Sequence, residues 1–93
     1  MDNVVPETVT HPEVAATVDN RGMLCAQGIL RLMRTILTVP SGGTVKVLST
    51  DPAAKHDYPA WCRNTGHRFL NEAVEQDPRW GPVIISYIRK RAE

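Results

Sequence analysis

Two cysteines, Cys25 and Cys62, are the sulfur nucleophiles of this chain, and they sit in different surroundings. Cys25 lies in Asp19-Asn20-Arg21-Gly22-Met23-Leu24-Cys25-Ala26-Gln27-Gly28. An extended run ends in a turn at Gly22, and a helical pattern begins just after Cys25. A thiol at the start of a helix meets unpaired backbone N–H groups and the positive end of the helix dipole. Both favour an anion, so such a cysteine is expected to have a lowered pKa and to present thiolate, the form that attacks sulfur, carbonyl or peroxide. With Cys25 as the N-cap, Ala26, Gln27 and Gly28 are the first three helical positions, and the Gly28 N–H becomes a donor to the Cys25 sulfur. Cys62 lies in Trp61-Cys62-Arg63 on a second helical stretch and is expected to pack. A redox pairing with Cys25 is the other reading, but it needs a geometry that sequence does not supply.

The elements that place Cys25 follow from hydrophobic period. Residues 13–19 read as a strand with Val14, Ala16 and Val18 on one face. Residues 26–39 read as a helix whose apolar face is Ile29, Leu32, Met33, Ile36 and Leu37. Pro40-Ser41-Gly42-Gly43 ends it. Residues 44–50 form a second strand. Asp51-Pro52 reads as a cap followed by a helix-starting proline. Pro59 fits poorly inside a helix, so a short turn over 52–57 and a helix from Tyr58 or Pro59 to Gly66 are expected. Residues 67–76 form a weak strand, 77–82 a turn, and 83–89 (Val-Ile-Ile-Ser-Tyr-Ile-Arg) a strong strand. The order β-α-β-α-β-β predicts two βαβ crossovers and a hairpin: an α/β two-layer sandwich with its helices on one sheet face.

The bulk properties remove several function classes. At 93 residues the chain suffices for one small domain, expected over 13–93 behind a flexible tail at 1–12. Eleven Lys and Arg against ten Asp and Glu leave a net charge of +1, which argues against a nucleic-acid binder. Two cysteines are too few for a disulfide scaffold and fit a reduced, cytoplasmic setting. The start of the chain has no basic segment followed by an apolar run, so no signal peptide is expected. No apolar stretch approaches the ~20 residues of a membrane helix. His11, His56, His67 and Cys62 lack paired ligand spacing, so neither a metal nor an organic cofactor is expected.

Taken together, the motifs resemble the TusA family of small sulfur carriers, also called SirA-like. The family pattern Asp-x-x-Gly-x-x-Cys is matched by Asp19, Gly22 and Cys25. Its later features are matched by Pro40-Ser41-Gly42-Gly43, Asp51-Pro52, Asp57-Tyr58-Pro59-Ala60-Trp61-Cys62, Gly66-His67 and the strand Val83–Ile88. The resemblance covers about residues 14–90. It implies a sheet of four mixed strands with two helices, and a function in which Cys25 carries sulfane sulfur as a persulfide. Donors would be a cysteine desulfurase or a rhodanese-like protein, and acceptors other sulfur-relay proteins. The chain departs from the pattern at Cys25-Ala26-Gln27-Gly28, where the family has Cys-Pro-x-Pro.

Partner choice in a carrier rests on the surface around the thiol, for which Arg21, Met23, Leu24, Gln27 and Gly28 are the candidates. Arg21 either raises the local potential or is solvated. Met23 and Leu24 either flank the thiol or join the core. The alternative function is a non-catalytic interaction or regulatory module on the same fold, in which Cys25 no longer handles sulfur.

Overall fold

The protein is described by a computed structural model over residues 13–92. The tail expected at 1–12 lies outside the described residues. Among the described residues six elements follow one another: β1 (Val14–Asn20), α1 (Cys25–Leu37), β2 (Thr44–Ser49), α2 (Ala54–Thr65), β3 (Arg68–Asp77) and β4 (Gly81–Arg89). This is the expected β-α-β-α-β-β order. They build one sheet in the order β1-β2-β4-β3. β1 and β2 are parallel, and β4 is antiparallel to both of its neighbours. The last strand therefore enters between β2 and β3. Its unbroken apolar run reflects that central place: all six residues from Val83 to Ile88 are buried.

Side-chain alternation assigns the faces. Val18 lies beside Val47, Asn20 beside Ser49, and Val45 opposite Ile88. These face the helices, where Val18, Val45, Val47, Ile84 and Ile88 pack with Leu32, Ile36, Tyr58 and Cys62. Leu32, Val45 and Ile88 are wholly buried, each contributing about 2 kcal/mol relative to an exposed side chain. On the other face Val83, Ile85 and Tyr87 cluster with Leu48, Leu70 and Ala73.

Both helices differ from expectation. The buried line of α1 is Cys25, Gly28, Leu32 and Ile36, whereas Met33 and Leu37 are exposed. The core contact follows steps of three and four from Cys25, and Met33 and Leu37 stand one residue off that line. In α2 the helix runs straight through Pro59. The chain is already wound before it reaches that residue. The Asp51 carbonyl accepts the Ala54 N–H at 3.0 Å, and the Ala53 carbonyl accepts the Asp57 N–H at 2.8 Å. Proline then removes only the bond its own N–H would have made to the Lys55 carbonyl. Gly66 ends α2 as expected, in the left-handed region at φ 86°.

Candidate functional site

Parallel strands β1 and β2 end side by side, and each leads into the N-terminus of a helix. The carboxyl ends of such strands are where α/β folds place ligands and chemistry. Here four things meet: Asn20 and Ser49 from the strand ends, and the first turns of α1 and α2.

Cys25 is the first helical residue of α1, and Leu24 occupies the N-cap without a side-chain bond. The orphan N–H of Cys25 is taken instead by Asp51, whose Oδ2 accepts it at 2.9 Å. The other oxygen of Asp51 accepts the Ala53 N–H at 3.0 Å. One carboxylate thus serves the N-termini of both helices, and these two bonds hold its pKa below the ordinary carboxylate value.

That arrangement overturns the expected lowered thiol pKa. Cys25 is only 5% exposed, and its thiol is pushed up to about 11, first by burial and then by the Asp57 and Asp51 carboxylates. The anion that the helix start attracts is already in place as Asp51, and the sulfur lies beneath the surface, where its own ionisation is disfavoured. Nor does the Gly28 N–H reach the sulfur. It makes an ordinary helical bond to the Leu24 carbonyl at 3.0 Å. Because Cys25 is one position further into the helix than an N-cap, the bond geometry moves by one residue.

The group that favours the ionised sulfur is the Tyr58 hydroxyl from α2. Tyr58 is wholly buried. Its oxygen accepts from Asn20 Nδ2 at 3.0 Å and from Ser49 Oγ at 3.2 Å. Asn20 Nδ2 also donates to the Gly28 carbonyl at 2.9 Å. The approach is tight: a Cβ at Gly28 would lie 2.7 Å from Asn20 Nδ2 and 2.8 Å from Tyr58 Oη. Sequence reasoning missed Asn20, Ser49 and Tyr58. The available signal was a tyrosine in the apolar slot of Asp57-Tyr58-Pro59.

The other candidates ring this centre unevenly. Leu24 is 69% exposed, Gln27 is exposed, Arg21 and Met23 are half-buried, and Gly28 is buried and faces inward. Arg21 does not act on the thiol. Its guanidinium forks onto Asp19 with two bonds of 2.8 Å. It lies 3.7 Å from Asp77 and 6.0 Å from the centre of the Trp80 ring. The pairing lowers the Asp19 pKa to about 2. Trp80 also packs under Gly22, where a Cβ would meet the ring at 3.0 Å. Cys62 is 2% exposed and its thiol is pushed up to about 11 by burial alone. Both cysteines are free. No described helix is long and apolar enough to cross a membrane.

A four-stranded mixed sheet, two helices on one face and a cysteine opening the first helix define a class of small α/β thiol proteins. The family described as Sulfurtransferase TusA matches residues 16–90, and the chain belongs to it. It is 35% identical over 85 residues to the sulfur carrier protein TusA of Pseudomonas paraeruginosa (strain DSM 24068 / PA7), covering 91% of this chain and 100% of that one. The sulfur carrier protein TusA of Pseudomonas syringae pv. syringae (strain B728a) is 29% identical over 87 residues, covering 94% of this chain and 98% of that one. Among solved structures, a SirA-like protein from Desulfitobacterium hafniense shares the fold, with a TM-score of 0.62 at 18% identity over 83% of this chain and 99% of that one.

Proposed function

We propose that this protein is a sulfur carrier and that Cys25 is the residue that carries the sulfur. The observation that supports this is the place of Cys25 within a chain that matches the TusA family through residues 16–90. It opens α1 where two helix N-termini and two parallel strand ends converge. In loading, the Cys25 thiolate attacks the outer sulfur of a donor protein's persulfide. The donor's S–S bond breaks and its cysteine leaves as thiolate, taking up the proton that Cys25 lost. In delivery, an acceptor thiolate attacks the outer sulfur and Cys25 leaves. Sulfane sulfur changes hands without net oxidation, so no metal or organic cofactor takes part.

Donors of the cysteine desulfurase or rhodanese-like kind and a relay-protein acceptor fit this exchange, in a reducing cytoplasmic setting that keeps both thiols free. They would meet the exposed Leu24 and Gln27 first, then Arg21 and Met23. With a pKa of about 11 the resting thiol is almost wholly protonated at neutral pH. Docking must therefore uncover the sulfur and offset the Asp57 charge before transfer.

The same buried, protonated thiol favours the second reading, an interaction module in which Cys25 handles no sulfur. Intact mass after mixing the reduced protein with a sulfane-sulfur donor separates the two. A gain of one reducible sulfur atom, absent in Cys25→Ser, supports the carrier. No gain from polysulfide, thiosulfate or an enzymatic donor leaves the interaction module.

A further inference from the structure

We infer that the tip of the β3–β4 hairpin belongs to the Cys25 site: Trp80 and Asp77 hold the Arg21–Gly22 turn that leads into the thiol, and release of that turn is the step that exposes the sulfur. The inference deepens the carrier reading and rests on it only for why the thiol must be exposed; the hold on the turn stands alone.

β4 begins at Gly81, but its pairing with β2 begins only at Ile84, opposite Ser49. Gly81, Pro82 and Val83 therefore overhang the end of β2 by about 10 Å. Over that length β3 and β4 stay paired, Glu75 with Val83, Gln76 with Pro82 and Asp77 with Gly81. The hairpin is thus an arm with a defined end, and β2 lies between it and β1. The tip crosses the end of β2 to meet the turn that follows β1. Asp77 Oδ1 closes the tip by accepting the Arg79 N–H at 2.8 Å and the Trp80 N–H at 3.0 Å. Its Oδ2 lies 3.7 Å from Arg21 Nη1. The Trp80 ring lies against Gly22, where a Cβ would stand 3.0 Å from it, with the Arg21 guanidinium 6.0 Å from the ring centre.

The turn is fastened on two sides, and they differ in kind. On the inner side its backbone is bonded: Thr50 Oγ1 accepts the Gly22 N–H at 2.9 Å and Asp51 Oδ2 the Cys25 N–H at 2.9 Å. Asn20, which leads into the turn, is buried. On the outer side the hold is made by side chains, and among the described residues no backbone bond joins the hairpin tip to the turn. The Arg21 and Asp77 side chains are 29% and 30% exposed, and Trp80 is 38% exposed. Exposed ion pairs and cation–π contacts are individually weak. The outer hold is therefore the one that gives way first, and an incoming protein can touch it beside the exposed Leu24. Trp80 and Asp77 meet no reacting atom; they are positioning residues for the turn that carries Cys25.

The test is the rate of Cys25 alkylation by iodoacetamide across neutral to alkaline pH, in the full chain and in Trp80→Ala, followed by mass on the Cys25 and Cys62 peptides of one digest. Loss of the ring should speed Cys25 alkylation about three- to tenfold, by the same factor at every pH. It raises the population of the open turn and leaves the ionisation of the opened thiol alone. Cys62 should not change. An unchanged Cys25 rate overturns the proposal. So does an equal rise at Cys62, the mark of a loosened core, or a gain confined to one pH range, the mark of an altered thiol pKa. Asp77→Asn is the milder variant and carries the test if Trp80→Ala does not fold. Its amide oxygen still closes the hairpin tip, but the charge facing Arg21 is gone. Cys25 alkylation should then rise about twofold with Cys62 unmoved, and an unmoved Cys25 rate is again fatal. Alkylation needs no sulfur donor, so a failed carrier assay and a failed hairpin assay are read separately.

Discussion

Cys25 and Cys62 reach the same thiol pKa, about 11, by different routes. Around Cys62 the only cause is burial inside the layer between α2 and the sheet. Around Cys25 burial is joined by two carboxylates that oppose ionisation and a hydroxyl that favours it. A thiol silenced by desolvation alone changes only if the core opens. A thiol set by a balance of charges and donors can be shifted by moving one of them. The two cysteines thus teach that burial and reactivity are not opposites: what matters is whether the buried sulfur has polar company.

The sharpest way to break this comparison is sulfur uptake itself. Cys25→Ser should abolish the mass gain from a sulfane-sulfur donor, and Cys62→Ser should retain it. Loss of uptake in both variants, or in neither, would mean that the two sites do not divide the work as their surroundings imply.

Alkaline pH tests what the two have in common. Each thiol has a folded pKa raised to about 11 from an ordinary 9.0. The native state therefore holds these protons more tightly than the unfolded chain. The resulting stability is fully present below pH 9 and is lost as pH rises toward 11, by on the order of 2 kcal/mol for each thiol. Tyr58, raised above 10.0 by burial, adds in the same direction at the upper end. Urea denaturation midpoints measured between pH 8 and 11 should fall steadily, and removing either cysteine should flatten the decline.

Serine exchange then separates them by stability. A hydroxyl at position 25 has polar groups acting on it, the Asp57 carboxylate and the Tyr58 hydroxyl, whereas at position 62 burial is what acts on the side chain. Cys62→Ser should cost about 1–3 kcal/mol, and Cys25→Ser distinctly less, in the same denaturation experiment. Equal costs would show that the polar groups around Cys25 are not matched to it.

The contrast also marks what was legible in the chain. The order of elements and the sheet core were readable because Val83–Ile88 and the alternation in β1 and β2 leave one periodic solution. Pro59 misled because its incompatibility is local, and the bonds from Asp51 and Ala53 that wind α2 beforehand depend on where the turn sits. Cys25 was found from its place before a helix, but its electrostatics were not. The sign of that pKa depends on Asp51 and Asp57, which are 26 and 32 residues away in the chain and reach the thiol only through the β2–α2 connection. At Gly28 the sequence shows an N–H, whereas what the packing requires there is the absence of a side chain.

Asp57→Asn gives the smallest and most selective test. Asp57 is the second cause of the raised Cys25 pKa after burial and has no part in that of Cys62. Its carboxylate is partly open to solvent, where the exposed His56 Nδ1 lies 3.2 Å away. The fold should survive the exchange, because the asparagine side chain keeps the shape and the Asp57 backbone bond to Ala53 is untouched. With the charge gone, less work is needed to ionise Cys25. Its alkylation at pH 8 should rise about three- to tenfold, while the Cys62 peptide stays unmodified in the same digest. The gain should shrink in high salt, since a partly exposed charge is screened. A rise at both cysteines would mean loosening of the core. No rise at either would assign the silence of Cys25 to burial alone and erase the distinction between the two thiols.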